Sequence, residues 1–208
     1  MSKPAGLRDQ KKAETRLAIS HVATRLFVER GFDNVSVDEV AREAGVARKT
    51  VFNYFNRKED LIFDREEETR ALVRDAIAGR GSHSPVRAFE DLMRTLVETQ
   101  HPIFTITARP IAFWHTVTES PSLTTYAREL QVTLADDLAD MLCDAVDRPH
   151  SDPDARLAAA MLVSTLVVAY GSALTAFRAG EEPVPAFVGV MERGFTGVDA
   201  ALARTTFG

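Results

Sequence analysis

VARKTVFNYFNRKEDLI, residues 46–62, decides how the chain is read. It sets Arg48, Lys49, Arg57 and Lys58 among Phe52, Tyr54 and Phe55. A buried helix has no use for so many cations, and a solvated helix has none for so many aromatics. A helix that packs on one side and meets a polyanion on the other can use both.

The residues upstream supply the partner for such a helix. Ser36-x-x-Glu39 has the form of a capping box, in which hydroxyl and carboxylate satisfy each other's backbone amides. Val37, Val40 and Ala41 then face inward, and Gly45 ends this helix after about two turns. Val46 plugs the corner. The next helix is expected from Ala47 to Phe55, with Asn56 as its break and a long fourth helix, 58–78, starting near Lys58. Before Ser36, residues 9–30 carry Leu17, Ile19, Val22, Ala23, Leu26 and Phe27 on a helical stripe. Gly31 closes that helix, Asp33 and Asn34 turn the chain, and Phe32 and Val35 fold back on it.

Two short helices joined by a glycine turn make a helix-turn-helix. Val40, Ala41, Ala44, Val46, Val51 and Phe55 have the spacing to fill the wedge between them. That leaves Arg48, Lys49, Thr50, Asn53 and Tyr54 on a face free for a DNA major groove, which admits one α-helix. Arg and Lys suit guanine O6/N7 or phosphates, Asn suits adenine, Thr can meet a thymine methyl, and a tyrosine hydroxyl suits a phosphate. The spacing alone also fits an ordinary helical corner with a solvated basic face.

The wider run SVDEVAREAGVARKTVFNYFNRKEDLI, 36–62, resembles the DNA-binding domain of the TetR family of transcriptional regulators. The matching parts are Ser36, Val40-Ala41, Ala44-Gly45-Val46-Ala47, Val51-Phe52-Asn53-Tyr54-Phe55 and Lys58-Glu59-Asp60-Leu61, with LFVERGFDNVSV, 26–37, as the run-in. The resemblance covers about 9–63. It implies an all-α protein, with a helix-turn-helix domain over 1–57 and a helical ligand-binding and dimerisation domain over 58–208. It also implies contacts to double-stranded DNA from Ser36, Arg48, Lys49, Thr50, Asn53, Tyr54 and Lys58. Three positions depart from the family: Ala47 for the usual Ser or Thr, Lys49 for a frequent glycine, and Phe52 for Tyr, read here as packing only.

Charge agrees with that division. The chain of 208 residues carries a net −5, but residues 1–60 hold 12 Lys and Arg against 9 Asp and Glu, while 61–208 hold 13 against 21. A basic head on an acidic body places a polyanion at the head. The single cysteine, Cys143, forms no intrachain disulfide, and no charged-then-apolar leader opens the chain; both fit a cytoplasmic protein.

Helices are expected over 85–100, 103–118, 122–147, 154–178 and 184–204. LAAAMLVSTLVVAYGSALTAF, 157–177, has no charge in 21 residues, about the length of a membrane span. Its Ser, Thr, Gly and Ala content favours a core or subunit interface over membrane insertion. With 184–204 it could give two helices per subunit to a homodimer matching a palindromic operator. Alternatively it is the buried centre of a monomer.

In HPIFTITARPIAFWHTVTESPSL, 101–123, aromatics mix with a few polar groups, as a site for a small organic effector would require. The candidates are Phe104, Arg109, Phe113, Trp114, His115 and, from a later helix, Tyr170. His101 and His115 lack helical ligand spacing and a cysteine partner, so no metal or cofactor is expected. Asp136, Asp137 and Asp140 could be acid/base groups but match a solvated helix face, and no phosphate loop or nucleophile elbow accompanies them. The function expected is a ligand-responsive DNA-binding repressor, not an enzyme.

Overall fold

The computed structural model describes residues 7–101 and 108–208, with side chains apart from those of 7–10, 66 and 108–113. Every regular element in them is helical: α1 (Leu7–Arg30), α2 (Val37–Glu43), α3 (Arg48–Tyr54), α4 (Glu66–Ala78), α5 (Pro85–Glu98), α6 (Ala108–Glu119), α7 (Pro121–Ala145), α8 (Pro153–Arg178) and α9 (Pro183–Leu202), with a 3-10 turn at Glu59–Leu61. The chain divides into two compact units. One is Met1–Glu66 with His115–Tyr126, and the other is Glu67–Trp114 with Ala127–Gly208.

In the first unit α1 buries Ile19, Ala23, Leu26 and Phe27, spaced for one helical face. Leu17, expected on that stripe, is 47% exposed, because the buried face continues through Ser20 instead. Gly31 ends the helix at φ +83 and its amide donates to the Phe27 carbonyl. Phe32 and Val35 fold back into the core, and the rings of Phe27 and Phe32 meet edge to face at 4.9 Å.

The fourth helix does not begin at Lys58. Asp60 Oδ2 accepts the backbone amides of Asn56 and Arg57 at 2.8 and 2.9 Å, and this side-chain turn replaces the helical ladder. Leu61 and Ile62 are buried from the turn, and α4 starts only at Glu66. The Asp60 turn is buttressed from α7, where Tyr126 Oη donates to Asp60 Oδ1 at 2.9 Å. Tyr126 also lies under the Arg57 guanidinium and beside the Phe63 ring.

The second unit is built on α5, α7, α8 and α9, whose buried residues include Phe89, Met93, Leu142, Leu162, Phe187, Met191 and Phe195. Ser84 caps α5 through the Arg87 amide, and Asp152 caps α8 through the amides of Asp154 and Ala155. α8 and α9 approach so closely at Gly194 that a Cβ there would overlap the Thr165 side chain. Among the described residues α8 alone is long and apolar enough to cross a membrane. Leu157, Ala160, Ser164, Val167, Val168, Gly171 and Thr175 form an exposed, uncharged stripe along it.

Buried in the same unit is the carboxylate of Glu90. Its Oε2 lies 3.5 Å from Arg94 and 3.6 Å from Arg87, while its Oε1 is buried with no hydrogen-bond partner among the described residues. Arg94 is engaged elsewhere, paired with both oxygens of Glu192 at 2.9 and 3.0 Å and lying over the Phe195 ring. Burial, aided by the charge of Asp199 and opposed by the two arginines, pushes the Glu90 carboxyl up to about 7. The folded state therefore holds this proton more tightly than the unfolded chain, and stability falls as pH rises from about 4.5 to 7. Glu90→Gln should remove that loss. Thermal melts from pH 4 to 8 should show the variant gaining up to about 3 kcal/mol above pH 7 and little at pH 4. Parallel pH curves for the two proteins would refute this account of Glu90.

Candidate nucleic-acid interface

α2 and α3 are each seven residues long, too short to persist alone, so packing and caps must hold them. The Ser36 hydroxyl accepts the Glu39 amide at 3.2 Å, and Glu39 Oε2 accepts the Ser36 amide at 2.8 Å. These bonds to Ser36 hold the Glu39 carboxyl below its usual range. At the other end of α2, Gly45 takes φ +67 and the Val46 amide reaches back to the Ala41 carbonyl at 2.9 Å. This left-handed closure sets the angle between the two helices. Ala47 stands at the N-cap of α3 and makes no side-chain cap, as that residue type dictates.

Val51 and Phe55 are the buried anchors of α3, and they join Val40 and Ala41 of α2 in the core. Ala44 and Val46 are half-buried at the turn. The opposite face holds Arg48, Lys49 and Asn53, all exposed, while Thr50 and Tyr54 lie half-buried along one edge. Phe52, read as a packing residue, is instead 40% exposed. It follows the buried Val51 by one residue, a step of about 100° that carries it out of the core. The Arg48 guanidinium lies 5.5 Å from its ring centroid and donates to Asp38 Oδ2 at 2.8 Å.

Besides Arg48, two more of the expected contact residues are already engaged. The Ser36 hydroxyl also donates to Glu39 Oε2 at 2.8 Å. Lys58 turns inward: Nζ donates to the Phe32 carbonyl at 2.6 Å and sits 4.1 Å from the centroid of the Phe32 ring. Burial lowers its pKa, and the charges of Asp33, Glu59 and Glu39 oppose that.

This geometry is matched by known proteins. Residues 19–64 match the family described as bacterial regulatory proteins, tetR family. Over these residues the chain is similar to TetR-family regulators. MftR, a transcriptional regulator of Mycobacterium tuberculosis, is 47% identical over 49 residues, which are 24% of this chain and 25% of that protein. An uncharacterised HTH-type transcriptional regulator of Haemophilus influenzae is 35% identical over 71 residues, covering 34% of this chain and 35% of its own. The chain thus spans about a quarter to a third of these relatives. The fold extends further. NalD of Pseudomonas aeruginosa is 19% identical with a TM-score of 0.55, covering 90% of this chain and 97% of that one. FadR of Thermus thermophilus is 23% identical with a TM-score of 0.51, covering 88% and 94%.

Of the effector candidates, Phe104 and the side chains of Arg109 and Phe113 lie outside the described residues. Trp114 and Tyr170 come together at 5.2 Å, and Tyr170 meets Phe187 at 5.0 Å. Burial pushes the Tyr170 phenol up. His115 is exposed and lies 3.9 Å from Glu119. A cleft of about 270 Å³ opens between α7 and α8, lined by Gln131, Val132, Asp136, Arg156, Val163 and Ser164, none of them an effector candidate from the sequence. The four aspartates of α7 lie in ion pairs: Asp136 with Arg156, Asp137 with Arg70, and Asp140 and Asp144 with His150.

Asp38 and Tyr126 escaped the sequence reading because each acts on a residue it meets only through folding, and Asp60 because its local capture of the Asn56 and Arg57 amides competes with a plausible helix start. The inward bond of Lys58 has a direct test. Lys58→Ala should cost about 1.5–3 kcal/mol of stability, typical of a hydrogen bond to a charged group. Urea denaturation reads this, and an unchanged midpoint would show that the ammonium does not hold the Phe32 carbonyl.

Proposed function

We propose that this protein is a TetR-family transcriptional repressor that binds a palindromic operator as a homodimer and is released by a small organic effector. The carrying observation is α3 itself: two buried anchors on one face, and exposed Arg48, Lys49 and Asn53 on the other. Residues 1–57 supply the DNA-binding domain. Arg48, Lys49, Thr50 and Asn53 face the major groove, and Tyr54 meets its phosphate wall. Ser36 contacts phosphate by rotating its hydroxyl away from Glu39. Lys58 does so by releasing the Phe32 carbonyl.

Residues 58–208 supply the dimer interface and the effector site. The uncharged stripe of α8, with α9 beside it, is suited to a two-fold contact between helices. Trp114 and Tyr170 provide aromatic surface for an apolar effector, together with Phe104, Arg109, Phe113 and His115. Two structural relatives fit this reading: NalD is a repressor of a multidrug efflux pump, and FadR is a repressor seen in complex with lauroyl-CoA. A cytoplasmic location follows from action on DNA. An effector acts by favouring a dimer whose recognition helices no longer span both half-sites.

Full-length protein should bind one palindrome selected from random DNA, with affinity falling steeply as salt rises. Failure to enrich any two-fold site would sink the proposal. Asn53→Ala should cost about 1–3 kcal/mol and relax preference at one base pair; equal loss on operator and random DNA would reassign Asn53 to phosphate. Val168, 59% exposed on α8, sits in the proposed dimer contact. Val168→Glu should yield monomers in sedimentation velocity, and a persistent dimer would move the interface elsewhere.

A further inference from the structure

An acidic side chain stands on the face that meets DNA. Asp38, in the first turn of α2, is exposed, and its Oδ2 accepts from Arg48 Nη1 at 2.8 Å. Both side chains are more than half exposed, and exposed pairs of this kind contribute little to stability. Electrostatics alone disfavours the arrangement, since a carboxylate there repels phosphate and cancels a cation that phosphate would attract. What the pair does supply is orientation. Arg48 is held through one nitrogen by Asp38, and its guanidinium lies 5.5 Å from the Phe52 ring centroid. Two walls from different elements thus fix a long side chain that otherwise loses much rotamer freedom when it binds. The guanidinium has five N–H donors, so the bond to Asp38 leaves enough for a two-pronged contact with guanine O6 and N7.

We infer that Asp38 is a positioning residue, which holds Arg48 against Phe52 for guanine readout and keeps it from acting as a general phosphate contact. The inference rests on the DNA-binding reading above. Asp38 lowers affinity for DNA at large and raises discrimination at one G·C pair per half-site. Phe52 is the apolar wall of this arrangement, a role that its exposure makes possible.

The test uses full-length protein and the palindrome that the wild type selects. Arg48→Ala first locates the base pair at which preference is lost. Asp38→Asn should then lose at least about fivefold in discrimination at that same pair. On random DNA it should bind more tightly, with a salt slope steeper by about one as Arg48 takes up a phosphate. In an Arg48→Ala background, Asp38→Asn should change discrimination no further, because it acts through Arg48. Asp38→Glu, which keeps the carboxylate, should recover part of the discrimination. Unchanged discrimination in Asp38→Asn, or an effect that persists without Arg48, would overturn the assignment. Equal losses on operator and random DNA would do so as well. A wild type that selects no palindrome would instead remove the DNA-binding reading beneath it. Thermal melts guard against misfolding, since loss of an exposed pair should leave Tm nearly unchanged.

Discussion

Burial of Val51 and Phe55 is the constraint on which the interface depends. A seven-residue helix carrying Arg48 and Lys49 near its start gains nothing from its own dipole, which disfavours cations at that end. Each buried anchor contributes about 1.5–3 kcal/mol by leaving water, and the two lie one turn apart on a single face. Because α3 is fixed from behind, the polar face need not stabilise anything. It is free to carry residue types chosen for contact with another molecule. Gly45 adds the second condition, a backbone conformation that sets where that face points.

Charges around this core are arranged in pairs. Arg25 meets Glu29 and Glu43, Arg30 meets Glu39, and Arg48 meets Asp38. These are exposed contacts, so their weight lies in shaping the surface field rather than in stability. Lys49 makes no ion pair among the described residues. A basic total in the sequence therefore becomes, in the fold, a narrower set of available cations. The second unit deals with charge differently. Glu90 sits inside it with one oxygen unsatisfied, beside an arginine committed to Glu192. That leaves a pH-sensitive burden in the core of the second unit.

Local signals were legible wherever one residue's chemistry settles its own backbone. The cap at Ser36 and the left-handed turns at Gly31 and Gly45 follow from residue type and immediate neighbours. The sequence reading failed where two outcomes shared one local pattern. Leu17 and Ser20 both lie near the stripe of α1, and only the folded unit leaves Leu17 exposed and Ser20 buried. Lys58 opens a plausible helix, but the Asp60 carboxylate captures the preceding amides and Tyr126 of α7 reinforces it. Phe52 invited a core assignment by its chemistry, and the helical step from Val51 put it outside.

The sequence by itself determined that the chain is helical and that 36–62 forms two short helices around a glycine. It also determined that α3 would be apolar on one side and polar on the other, because periodicity and capping act within a few residues. Tertiary structure alone decided which polar groups remain available. Lys58 was drawn onto the Phe32 carbonyl, Asp38 was brought to Arg48, and the aspartates of α7 were matched with arginines and a histidine. The physical reason is range. A cap or a helical face is satisfied by neighbours in the chain, whereas an ion pair or a buried ammonium needs a partner that only folding brings within about 3 Å.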